Sequence, residues 1–95
     1  METLSMEPQV HVDYDPKADV LYLNWGVSQF DFGEDAPRGV LLRFAEEDES
    51  PTGVTVVGFV GNRWNVAMDE LAQLMSAHLK TDQQTIFRAI SGVMR

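Results

Sequence analysis

Asp13, Asp15 and Asp19 put three carboxylates within one short stretch, the closest approach to a metal-binding spacing in this chain. A calcium loop sets oxygen ligands at alternating positions, a Gly at the sixth and a bidentate Glu at the twelfth. Counted from Asp13, the fifth position is Lys17, the sixth Ala18 and the twelfth Asn24. The pattern fails at all three, so neither a metal nor another cofactor is expected. The simpler reading is a turn in which Asp15 caps backbone N–H groups and Asp19 pairs locally.

His11 and His78 are the only imidazoles. His11 falls on the polar side of a strand pattern and His78 within or beside a helical apolar stripe, with no spacing that brings them together. No Gly-x-Ser-x-Gly elbow is present, and no nucleophile stands beside a base that would orient it, so no catalytic residue is assigned. Gly58 and Gly61 follow a β-branched run, but the third glycine or Lys-Ser/Thr ending of a phosphate loop is missing. These glycines are expected to end the sheet.

Bulk properties narrow the classes further. Ninety-five residues support one domain. Cysteine is absent, which removes disulfides, thiolate catalysis and Cys-based zinc sites. The net charge of −8 is uneven: residues 1–60 hold twelve acids against Lys17, Arg38 and Arg43, whereas residues 61–95 hold Asp69, Glu70 and Asp82 against Arg63, Lys80, Arg88 and Arg95. Nucleic-acid binding needs cations to displace counterions, so the first sixty residues make a poor nucleic-acid surface. Residues 1–8 contain Glu2 and Glu7 with no base, unlike a signal peptide. The longest uncharged stretch, 51–62, is far short of the ~20 apolar residues a membrane helix takes. A soluble, cytoplasmic chain without membrane contact is expected.

The elements that would position these groups follow from periodicity. Val10, Val12 and Tyr14 alternate with polar residues, and residues 20–25 alternate Leu21, Leu23 and Trp25 against Val20, Tyr22 and Asn24, with Asp15-Pro16 as the turn between them. Residues 27–35 read as a weak edge strand or ordered loop. Residues 40–44 place Val40, Leu42 and Phe44 on one face, and residues 55–60 are expected to form a central strand. The acidic stretch 46–51 is a solvated connection. From Met68 the period becomes helical through Leu71, Met75, His78 and Leu79. Thr81 or Asp82 can cap a second helix carrying Ile86, Phe87, Ile90, Val93 and Met94. The fold class is therefore α+β: a small antiparallel meander of four or five strands, then two helices, the first packed on the sheet. Residues 1–8 are expected to be a flexible tail, 9–60 the sheet and 66–95 a helical hairpin.

The segment Tyr14-Asp15-Pro16-Lys17-Ala18-Asp19-Val20-Leu21-Tyr22-Leu23 resembles the opening of a widespread small bacterial family known only as a domain of unknown function, with the signature Tyr-Asp-x-x-Ala-Asp-x-Leu-Tyr-Ile. Gly39-Val40-Leu41-Leu42-Arg43-Phe44 and Val56-Val57-Gly58-Phe59 are similar to its later strands, so the match covers about residues 10–60. The resemblance implies a compact sheet-plus-helix fold and, because some members sit beside small toxin-like genes, an interaction role. Two departures stand out: a longer acidic connection at 45–52, and a much longer segment after Val60.

The first functional expectation is a non-enzymatic interaction module. It would self-associate as a homodimer through the stripe Ile86, Phe87, Ile90 and Met94, and pair with a basic protein through its acidic sheet-side loops. A second is a small enzyme or ligand-binding domain using the signature residues Tyr14, Asp15, Asp19 and Tyr22, which on the first reading only shape the turn. A third is DNA binding through residues 68–95, where Leu71-Ala72 and Thr85-Ile86-x-Arg88 loosely match a helix-turn-helix with a spacing about four residues too long.

Overall fold

The computed structural model describes residues 10–25 and 30–93. Five antiparallel strands, β1 (Val10–Asp15), β2 (Val20–Trp25), β3 (Asp31–Ala36), β4 (Val40–Ala45) and β5 (Pro51–Val57), precede two helices, α1 (Met68–Leu79) and α2 (Gln83–Val93). The α+β class and the packing of the first helix on the sheet are as the periodicity indicates. The expected flexible tail, residues 1–8, lies outside the described residues.

The strand order β1-β2-β5-β4-β3 corrects the simple meander. β5 inserts between β2 and β4, and β3 moves to the far edge. The cause lies in β5 itself: Val54 and Val56 are fully buried and the strand carries no charge. At an edge it would leave apolar side chains and a row of backbone donors and acceptors unpaired, whereas the acids of β1 and β3 suit exposed edges. Of the 27–35 segment, residues 27–29 lie outside the described residues and an edge strand starts at Asp31; the central strand begins at Pro51 rather than Thr55 and stops at Val57. Arg43 opposes Gly53 but Phe44 opposes Pro51, so Thr52 is an extra residue in β5. Such a bulge turns two successive side chains to one side.

One sheet face is covered. Leu21, Leu23, Val40, Val54 and Val56 form a core with Phe59, Trp64, Leu71, Met75, Leu79, Ile86 and Ile90. α1 lies over β5, and α2 packs on α1 and β1. Asp69 and Glu70 sit in the first turn of α1, where negative charge suits the dipole. Its end is set by Lys80 at φ 57, in the left-handed conformation common after helices, and the Thr81 amide returns to Ser76 O at 3.1 Å. The cap of α2 is Asp82, whose Oδ2 accepts the Thr85 amide at 3.0 Å. No helix among the described residues is long and apolar enough to cross a membrane.

Candidate functional site

Three of the four signature residues, Tyr14, Asp15 and Asp19, converge at one end of the sheet, and their side-chain oxygens are used inside the chain. Asp15 Oδ1 accepts the amides of Lys17 at 3.0 Å and Ala18 at 3.3 Å, closing the β1–β2 turn. Asp19, left-handed at φ 58, reaches across to the turn after β5. Its Oδ1 accepts the Val60 amide at 2.8 Å and the Tyr14 hydroxyl at 2.8 Å, and its Oδ2 accepts the Gly61 amide at 2.9 Å. Its own carbonyl accepts the amides of Gly58 and Phe59. The Val60 and Gly61 amides, then the Tyr14 hydroxyl, hold the Asp19 carboxyl below its ordinary pKa. The bond to Asp19 in turn raises the Tyr14 hydroxyl.

Two further loops join this junction. Gly58 at φ +74 brings the chain so close that a Cβ there would lie 2.6 Å from Asn62 Nδ2. Asn62 Nδ2 donates to Val57 O at 3.0 Å and Arg38 O at 3.2 Å, while Arg38 donates from its guanidinium to Asn62 O at 2.7 Å. The same guanidinium lies 3.8 Å over the Trp64 ring, whose Nε1 donates to Arg38 O. Sequence reasoning missed Arg38, Asn62 and Trp64. The signal available was the pair Gly39 and Gly58, both at positive φ.

Of the four signature residues, Tyr22 alone points elsewhere. It stands on the sheet face opposite the helices, 36% exposed, with no hydrogen bond from its hydroxyl among the described residues. Val57 is also there, 52% exposed. Register places Asp13, Tyr22, Thr55, Leu41 and Asp35 in one row across all five strands. The row is therefore acid, aromatic, threonine, leucine, acid. In the next row, Arg43 donates to Asp31 Oδ2 from β4 to β3 and to Asn24 Oδ1 on β2 at 3.0 Å, passing over Gly53 of β5. Thr52, turned to this side by the bulge, donates to the same Asp31 oxygen at 3.1 Å. Asp31 is thus neutralised, whereas Asp13 and Asp35 have no ion-pair partner among the described residues.

The two histidines lie on opposite faces of the sheet. His11 is exposed on the open face beside Asn24, while His78 lies on the covered side. There its Nε2 contacts Arg43 O at 3.0 Å, and its ring meets Phe44 edge-on. A carbonyl only accepts, so this nitrogen carries the proton. Two residues of the expected interface stripe lie inside the chain's own core. Ile86 and Ile90 are 0% exposed in a single chain because α2 turns them onto α1 and β1, and Phe87 is half-buried against the same core. Met94 lies outside the described residues. Arg88 borders an open cleft of about 540 Å³ that Asp69 and Asp82 also line, a mixed-charge setting that offers no continuous cationic track to phosphates. Among the described residues no three His, Asp or Glu side chains are grouped to hold a metal. Compared with protein families, curated proteins and solved structures, the chain shows no match.

Proposed function

We propose that the chain is a non-enzymatic protein-interaction module that meets its partner through the open face of the sheet. One observation carries this reading: the face opposite the helices presents exposed Tyr22 and Val57 and half-buried Leu41, with no described element over it. An apolar strip bordered by charge is the usual character of a recognition surface. The signature's carboxylates speak against the ligand-binding alternative, since Asp15 and Asp19 already accept backbone amides of their own chain. Self-association through α2 loses its main support, because Ile86 and Ile90 contribute to their own core.

The test is photocrosslinking in cells that naturally express the chain, with a benzophenone side chain at Val57 on the open face or at Gln84 on the exposed side of α2. A discrete protein adduct from position 57 and none from 84 is expected. Adducts from position 84 alone, or from neither, would reject the reading.

A further inference from the structure

We infer that the open face receives an amphipathic α-helix of another protein, one whose apolar stripe is flanked on both sides by Lys or Arg; this rests on the interaction-module reading above. The row Asp13–Tyr22–Thr55–Leu41–Asp35 sets the dimensions. Tyr22 to Leu41 spans two strand intervals, about 10 Å at ordinary strand spacing, which matches the 10–12 Å width of a helix. Asp13 and Asp35 stand one interval further out on either side, so the two rims are about 19 Å apart. A helix lying along the strands would rest its apolar stripe on Tyr22, Thr55 and Leu41. Long cationic side chains on its two flanks would reach the rims while their stems cover apolar surface.

Charge selects against other occupants. A second copy set face to face would bring the acids Asp13 and Asp35 against acids of the other copy, in a chain already at −8. Neither described helix suits the face: the exposed side of α1 presents Asp69, Glu70 and Gln73, and that of α2 presents Gln83, Gln84 and Arg88. Arg43, the one cation among the described residues in the middle of the face, is held by Asp31 and Asn24 and so is not free to repel a basic visitor.

The experiment uses the full chain, isotope-labelled, and two synthetic helical peptides of about 18 residues with the same Leu stripe, one flanked by Lys and one by Glu. Amide shifts centred on Tyr22, Thr55 and Leu41 are expected with the Lys-flanked peptide only. Affinity should fall about tenfold or more in the folded double variant Asp13→Lys/Asp35→Lys, which should instead take the Glu-flanked peptide. Equal binding of both peptides, shifts confined to the helical side, or no binding by either would overturn the basic-helix proposal. So would sedimentation of the chain alone as a dimer that Leu41→Arg dissociates. In each of these cases a position-57 crosslink would leave the interaction module standing, whereas loss of that crosslink would remove both.

Discussion

The Tyr14 hydroxyl donates to Asp19 Oδ1 at 2.8 Å, tying the first strand to a turn that also grips the loop after the fifth. That bond converts a sequence signature into a joint: its carboxylate ends on the backbone of residues 60 and 61, forty-odd positions away.

Asp19 makes folding sensitive to acid. Its folded pKa lies below the unfolded value, so its contribution is fully present above about pH 3.9 and is lost as pH falls through the folded value. Urea midpoints of the wild type should decline across that window. Asp19→Asn should start lower at neutral pH and decline less, because an amide cannot accept three hydrogen bonds as a carboxylate does.

Tyr14 acts at the other end of the scale. Its raised folded pKa means that its contribution is intact below the unfolded value of about 10 and disappears as pH rises through the folded one. Tyr14→Phe keeps the edge-on contact with Phe59 and should lose less stability at neutral pH than Asp19→Asn. It should also flatten the alkaline limb of the same denaturation series.

Gly58→Ala should destabilise by about 1–2 kcal/mol, the cost of a side chain in the left-handed region, plus a steric part from Asn62. Repeating the substitution in an Asn62→Ala background should recover the steric part and leave the conformational cost. Chemical denaturation of the four proteins in that cycle separates the two.

Ile86→Ala and Ile90→Ala should each cost about 2–5 kcal/mol through the cavity left in a single-chain core. Their thermal midpoints should drop by the same amount at every protein concentration. A drop that grows on dilution would instead return these residues to an interface.

Ser91 has its Oγ buried with no hydrogen-bond partner among the described residues. Ser91→Ala removes an unsatisfied hydroxyl and improves helix propensity, so it should stabilise by up to about 1 kcal/mol. Denaturant midpoints at constant slope would show it.

Much of the architecture was legible in local pattern. Period-two alternation located β1, β2 and β4, and a helical stripe beginning at Met68 located α1, because apolar spacing along one element needs no knowledge of any other. The turn role of Asp15 was equally local, since its acceptor meets amides two and three residues on.

The rest needed distant segments to meet. Nothing within residues 51–57 says which strands flank them; the order was decided by the cost of leaving Val54 and Val56 at an edge. Likewise the apolar stripe of α2 can be read as surface or as core, and only its placement against α1 and β1 makes Ile86 and Ile90 internal. The row from Asp13 to Asp35 is the clearest case. Its five residues come from five strands, so register, which depends on backbone pairing across the whole sheet, creates a surface that no stretch of sequence contains.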